Sequence, residues 1–429
     1  MAIVIVGAGI GGLTAALSLH DAGFREVRVY ERVDEIRPLG VGINLLPHAV
    51  RELTELGLGD RLGELGAAPG TLAYYNRHGQ QIWSEPRGLA AGYRWPQLSV
   101  HRGRLQMELL AAVRDRLGTD SVITGHRLIE VEHGAAADIA RFATEGGAGG
   151  TGGAGGTGSV GGVVDVVAEL VVGADGIHSV LRKQHQPDQG APIWNGLTLW
   201  RGTARVPGFL DGATMIMAGD AEQKFVAYPI GNGLINFIAE RRTGADANAD
   251  WNRAVPKQPI VDLFRDWDFG WLDVPGLLAA ADEILEYPMV DRDPIDTWTH
   301  GRSTLIGDAA HPMYPNGSNG ASQAIIDART LAFHLGSAPS FASALAAYES
   351  ERRPATTALV SSNRRQGPEQ VMVLCHERAP GGFTDIHDVM TPEELTAIAT
   401  GYKKAAGFHP DALNNRPSLS VPQGASVPR

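Results

Sequence analysis

The chain has 429 residues, with 37 Lys and Arg against 48 Asp and Glu for a net charge of −11, and one cysteine, Cys375. That length accommodates two or three domains and an interior large enough to enclose a cofactor. The acidic balance argues against nucleic acid or an anionic membrane as partner, since both need a basic face, and a lone cysteine excludes an internal disulfide and a cysteine-based zinc site. The opening residues lack a basic region and a cleavage site, and no run of 18 apolar residues occurs, so the expected location is the cytoplasm.

Residues 2–6 (Ala-Ile-Val-Ile-Val) form a β-branched apolar run bounded by glycine, the pattern of a buried parallel strand. Leu13 to Ala22 has helical spacing, Gly23 can end that helix, and Val27 to Tyr30 is a second apolar run, completing a βαβ unit. Gly103 to Leu117 predicts a helix with Leu105, Leu109, Leu110 and Val113 on one stripe. Weak strand patterns at 127–133 and 163–172 flank the tract Gly146 to Gly162, which reads as a disordered connection; no Lys-Ser/Thr follows it in P-loop spacing. From Gly190 to Pro288 short Trp-, Tyr- and Val-containing runs broken by Gly, Pro and Asn predict an antiparallel sheet. A strand at 303–306 and helices at 320–335 and 341–363 follow, and 409–429, with four prolines, predicts a flexible tail.

Gly7, Gly9 and Gly12 fit G-x-G-x-x-G between the first strand and its helix, where backbone can approach a pyrophosphate at the helix's positive end. Glu31, 19 residues after Gly12, ends the second strand, where an acid accepts a ribose hydroxyl. This fingerprint predicts an ADP-containing dinucleotide without separating FAD from NAD. Asp308 follows a buried strand, as an acceptor of ligand hydroxyls or a helix N-cap; either role keeps it ionised. His311 has no partner at metal-ligand spacing and reads as packed, Ser318 lies outside a nucleophile elbow, and Cys375 reads as an inert thiol. Arg352, Arg353, Arg364 and Arg365 read as helix caps or surface decoration.

Two further segments carry a resemblance. Val171 to Ser179, containing Asp175-Gly176, and Leu305 to Pro312, containing Gly307-Asp308, follow the fingerprint in order. With it they resemble the Asp-Gly and Gly-Asp motifs of the class A flavoprotein aromatic monooxygenases, the para-hydroxybenzoate hydroxylase-like family. Segments 36–44, 83–88, 101–103, 287–294 and 319–324 resemble that family's phenazine hydroxylases.

The resemblance implies an α/β plus antiparallel-β fold: a Rossmann-like FAD-binding domain of the aromatic hydroxylase type, an interleaved antiparallel-sheet substrate domain and C-terminal helices. The expected boundaries are 1–70, 97–180 and 287–366 for the FAD domain, with 146–162 a flexible insert. The substrate domain takes 71–96 and 181–286, a helical segment takes 367–408, and the tail takes 409–429. The implied cofactor residues are Gly7, Gly9, Gly12, Glu31, Arg32, Gly42, Arg102, Asp175, Gly307, Asp308, Gly320 and Ala321. Pro315, Gly317, Asn319 and Gly320 are expected beside the flavin ring, where a helix N-terminus stabilises negative charge on the reduced flavin. Trp200, Arg201 and Tyr228 are candidates to face an aromatic substrate, with sheet packing as their alternative.

The implied reaction consumes NADH or NADPH, met transiently, and O2. It hydroxylates a planar aromatic carboxylate through a flavin C4a-hydroperoxide, with decarboxylative hydroxylation of a phenazine-1-carboxylate-like substrate as the sharpest form. A hydroxylase or epoxidase of a different aromatic or polyketide natural-product intermediate, a flavin reductase and a non-enzymatic FAD-binding protein are the alternatives. The expected protein is a monomer or homodimer with no metal, nucleic acid or membrane partner.

Overall fold

The computed structural model describes residues 2–144, 162–244 and 253–421. The β-branched run forms the strand Ala2–Val6 at the centre of a five-stranded parallel sheet, ordered Ser303–Leu305, Leu170–Gly173, Ala2–Val6, Glu26–Tyr30 and Val122–Ile123. Its neighbours pair in register at Ile3↔Leu170 and Ile3↔Val27. Burial on both faces explains why Ile3 to Val6 are all apolar. The helices Ile10–Asp21, Arg102–Leu117 and Gly320–Ser337 pack together over one face. A three-stranded antiparallel sheet (His126–Glu132, Asp138–Thr144, Gly162–Ala168) lies against the other, with Tyr30 stacked on Phe142 at 4.5 Å between ring centroids. The strand Asp138–Thr144 was not foreseen, and of the glycine tract only Gly162 lies among the described residues.

The second large element is an eight-stranded sheet ordered Arg253–Val255, Ala281–Asp291, Ile193–Ala204, Ile235–Arg242, Gln223–Pro229, Thr214–Gly219, Thr71–Tyr75 and Gln81–Pro86. It is antiparallel except where Thr214–Gly219 runs parallel to Thr71–Tyr75. Strand alternation gives the sheet two apolar faces. One, with Phe225, Phe237 and Trp200, is covered by the short helices Gln258–Leu263 and Val274–Ala279. The opposite face, with Leu199, Met215, Met217, Val226 and Tyr228, meets Val371, Met372 and Leu395 of the C-terminal helices.

The expected flexible tail is corrected up to Val421. Pro410–Asn415 is helical, Phe408 and Leu413 are buried, and Val421 packs at Gly336. Arg416 pairs with buried Glu52, and Arg329 donates to Ser420 at 3.0 Å. Prolines at the flanks of a short helix made the segment look irregular, and its partners lie some 90 to 360 residues away in sequence, as in Arg329–Ser420 (|i−j| = 91) and Glu52–Arg416 (|i−j| = 364).

Candidate active site

The three fingerprint glycines do three different jobs. Gly7 has φ +107°, and a Cβ there would lie 2.5 Å from the Ala174 carbonyl oxygen, so it admits the Asp-Gly segment. A Cβ on Gly12 would lie 1.9 Å from the Gly7 carbonyl oxygen, so it closes the strand-to-helix turn. A Cβ on Gly9 would meet nothing within 4 Å, which leaves the space a dinucleotide backbone requires. Gly9 is also the N-cap of Ile10–Asp21, which has no side-chain cap and no acid in its first turn. Glu31 accepts the Ala8 N–H at 2.8 Å through Oε2 and the Val33 N–H at 3.1 Å through Oε1, joining the second strand to the fingerprint loop. Gln106, which the sequence reading missed, donates to the Ala8 carbonyl at 2.8 Å. Arg32 is exposed nearby and lies within electrostatic reach of His178.

Asp175 accepts the Val180 N–H at 2.7 Å, while its other carboxylate oxygen is buried without a partner among the described residues. Burial raises its pKa, opposed by hydrogen bonds from Ser179 and Val180. Asp308 is exposed, and the Cβ position of Gly320 is 3.9 Å from its Oδ1. Desolvation raises the Asp308 pKa from the usual carboxylate value, against the pull of His311 and Arg102. Arg102 is exposed and forms no ion pair among the described residues, so it is not spent on a surface carboxylate. Gly103 lets the 38–39 backbone lie on this helix, since a Cβ there would be 2.3 Å from Pro38.

Gly307 (φ +58°) donates its N–H to Asp327 Oδ2 at 2.9 Å. The same oxygen meets His311 Nε2 at 2.5 Å, and Oδ1 takes Arg352 Nε at 2.8 Å. His311 is thus packed, as expected, whereas Arg352 is a buried anchor of the Gly-Asp loop and not a decoration. Arg364 likewise forks onto buried Asp291 at 2.7 and 3.0 Å. Each aspartate comes from another part of the chain, so neither pairing had a local signal.

Pro315 begins the turn that opens Gly320–Ser337; it is exposed, and its carbonyl accepts the Ser318 N–H at 2.9 Å. Gly317 and Asn319 lie against Tyr402 from the C-terminal helices. Gly320 and Ala321 form the first turn of that helix, where no side chain caps the backbone.

On the sheet, Arg201 and Tyr228 come together while Trp200 does not. Arg201 donates to the Gly42 carbonyl at 2.9 Å and Tyr228 donates to the same oxygen at 3.0 Å. Asn236 Oδ1 accepts the Gly42 N–H at 2.6 Å. Gly42, first residue of the strand Gly42–Leu45, is therefore tethered to the eight-stranded sheet, its missing Cβ leaving room for Asn236. The Arg201 guanidinium lies 5.9 Å from the Tyr287 ring centroid, with its Nε buried and unpaired among the described residues. Burial pushes Tyr228 up to about 12, so at neutral pH it stays a protonated donor. Trp200, one residue before Arg201, points to the opposite face and donates to Glu286 at 2.9 Å, which corrects its assignment to the substrate.

An open glycine at one uncapped helix N-terminus, a second uncapped helix N-terminus, and Asp308 beside it within electrostatic reach of Arg102 fit an FAD. The fold and these residues define a flavoprotein of the aromatic hydroxylase class. The profile of the family described as "FAD binding domain" matches residues 1–363. Among curated proteins, the chain is 47% identical over 373 residues to phenazine 1,6-dicarboxylic acid hydroxylase PhzS of Lysobacter antibioticus, covering 84% of this chain and 89% of that one. It is 32% identical over 375 residues to 3-amino-4-hydroxybenzoate 2-monooxygenase PtnB3 of Streptomyces platensis, covering 86% and 88%. Among solved structures it resembles Klebsiella pneumoniae HpxO complexed with FAD and uric acid (TM-score 0.72, 24% identity, 99% and 98% covered). A salicylate hydroxylase substrate complex matches with TM-score 0.71 at 20% identity, covering 98% and 99%. The chain belongs to the FAD-binding-domain family and is a flavin-dependent aromatic monooxygenase whose cofactor is FAD. Among the described residues no helix is long and apolar enough to cross a membrane.

Proposed function

We propose that this chain hydroxylates a planar, carboxylated tricyclic aromatic of the phenazine-1-carboxylate type, in the form that replaces the carboxylate by a hydroxyl. The observation that carries the reading is Arg201. It is a half-buried cation with an unpaired buried Nε, set over Tyr287 on a sheet face otherwise built from Leu199, Met215, Met217 and Met289. The name of the 47% identical relative supports a phenazine carboxylate. FAD, once reduced by NADH or NADPH, supplies the activated oxygen.

The chain's own residues do the rest. In this reading residues 1–70, 97–180 and 287–366 hold the FAD, with Gly7, Gly9, Gly12, Glu31, Arg102, Asp175 and Asp308 along it and 315–321 beside its ring. The apolar sheet face excludes water and holds the flat substrate by burial, and Arg201 fixes its carboxylate by a charge-assisted hydrogen bond. Tyr228 stays protonated and holds Gly42, so it orients the groove and takes no proton. In the overall balance the ring loses its carboxylate as CO2 and gains one atom of O2, the other atom leaves as water, and NAD(P)H gives the two electrons.

The test is NADH and NADPH oxidation by the purified protein with phenazine-1-carboxylate, phenazine-1,6-dicarboxylate and simple hydroxybenzoates, with product masses recorded. Stimulation by the phenazines, with products that have lost CO2 and gained one oxygen, is the expected result. A product that gains oxygen and keeps its carboxylate refutes the decarboxylative form. Stimulation only by hydroxybenzoates refutes the phenazine reading.

A further inference from the structure

The turn that opens Gly320–Ser337 is held in an uncommon backbone state. Gly317 and Ser318 both have positive φ, 73° and 57°. For Ser318 that conformation costs free energy, which surrounding contacts must offset. Asn44 and Asn363 supply part of that support from within the family match, and Tyr402 supplies part of it from beyond residue 363, where the match ends. Tyr402, on the helix Pro392–Ala405, is buried directly beneath the turn. Its hydroxyl accepts the Asn319 Nδ2 hydrogen at 2.9 Å and lies 3.1 Å from both the Asn316 carbonyl and Asn363 Oδ1. A Cβ on Gly317 would sit 2.1 Å from that hydroxyl oxygen, so the ring fills the space under the turn.

The Asn319 carboxamide is fully engaged. Its Nδ2 goes to Tyr402, and its Oδ1 accepts Gln323 Nε2 at 3.2 Å. It therefore makes no cap to the helix it precedes, and the first-turn N–H groups keep no side-chain acceptor. Anything that holds this turn still also fixes the direction of those N–H groups and of the helix's positive end.

We infer that Tyr402 is a positioning residue for the flavin ring, acting through Asn316 and Asn319 to preorganise the helix N-terminus that meets the ring. This rests on the proposed placement of the ring at 315–321. Donors fixed in advance stabilise developing negative charge without reorganising, so the reduced flavin gains more from them than the oxidised one. The C-terminal segment, remote in sequence from every FAD motif, thereby sets the flavin's potential.

Tyr93 supplies the control. Its buried hydroxyl donates to the Phe408 carbonyl at 2.8 Å, pinning the same C-terminal segment without a hydrogen bond to the 316–320 turn. Holoproteins carrying Tyr402→Phe, Asn319→Ala and Tyr93→Phe are compared with the parent for Tm, FAD midpoint potential and Kd of the flavin–sulfite adduct, an anionic probe of positive field at the ring. Tyr402→Phe is expected to weaken sulfite binding about tenfold and to lower the two-electron potential by the corresponding ~30 mV. Asn319→Ala shifts both in the same direction, and Tyr93→Phe lowers Tm while sulfite Kd stays within about twofold of the parent. A merely structural Tyr402 would behave like Tyr93, with Tm lowered and both flavin readouts unmoved, and that result overturns the inference. If Tyr402→Phe is recovered without FAD, Asn319→Ala decides, and an unmoved sulfite Kd in it overturns the inference. Failure of the ring placement reads differently: Gly320→Val and Asp308→Asn would then retain FAD as the parent does, and the inference falls with it.

Discussion

Placing one methyl group at Gly9 and at Gly12 separates ligand space from packing space within the same fingerprint. At Gly9 the added Cβ meets no protein atom within 4 Å, and φ of −74° with ψ of −178° is open to alanine. Gly9→Ala should therefore leave the stability of the FAD-free protein within about 0.5 kcal/mol of the parent, as for a substitution without contacts. It should weaken FAD by at least about tenfold, ~1.4 kcal/mol, because the methyl occupies the approach of the pyrophosphate. At Gly12 the Cβ would lie 1.9 Å from the Gly7 carbonyl oxygen and 3.3 Å from the Ala174 Cβ. Relief requires the backbone itself to shift, and overpacking of this kind costs about 1–3 kcal/mol, partly offset by ~1 kcal/mol of helix propensity. Gly12→Ala should thus destabilise the FAD-free protein as well as weaken FAD. Denaturant unfolding of the apoprotein and fluorescence titration with FAD measure the two quantities separately. The reasoning is refuted if Gly9→Ala unfolds as easily as Gly12→Ala, or if it binds FAD as the parent does.

Asp327 should control the acid limb of stability: burial alone would raise its pKa, but His311, Arg352 and the Gly307 N–H outweigh that and hold it at about 2. A depressed carboxylate stabilises fully above its unfolded value near 4, and that stabilisation, about 2–3 kcal/mol, is lost as pH falls from 4 towards 2. Asp327→Asn should flatten this limb in unfolding curves taken between pH 2 and 5. Arg416→Met should cost about 2 kcal/mol in urea unfolding, less than a fully broken buried pair because Glu52 keeps Arg329 at 3.3 Å; an unchanged midpoint would contradict the docked C-terminal segment. Thr144 and Gly162 are cross-strand partners, so replacing 145–161 with Asn-Gly can close the hairpin directly. FAD content and turnover should survive the replacement, and loss of either would show that the replaced residues are needed.

The parallel-sheet core, its first helices and the FAD motifs were legible because each is written locally. A strand buried on both faces reads as a continuous apolar run, as in Ile3 to Val6, and the glycines sit at fixed offsets from it. The eight-stranded sheet was legible as a composition of short runs, but not its parallel pair, since nothing in 71–75 or 214–218 states which neighbour each strand takes. The same limit misassigned Trp200. Its residue type fits an aromatic site, and only the pleat of the strand, set by pairing at Trp200↔Ala239, sends it to the far face while Arg201 turns to the near one.

What the sequence determined by itself is therefore a dinucleotide-binding frame, because backbone geometry at a phosphate site demands glycine at particular spacings and a strand before a helix; the three ordered motifs together carry the resemblance that narrows the dinucleotide to FAD. What only the tertiary structure decided is the surroundings of the reacting centre. Arg201 beside Tyr228, Arg352 on Asp327, and Tyr402 under Gly317 are contacts across 27, 25 and 85 residues, made by side chains whose types are common anywhere. Such contacts carry no local periodicity; they exist because packing two sheets and the C-terminal helices around one groove brings those side chains within a few ångströms of each other.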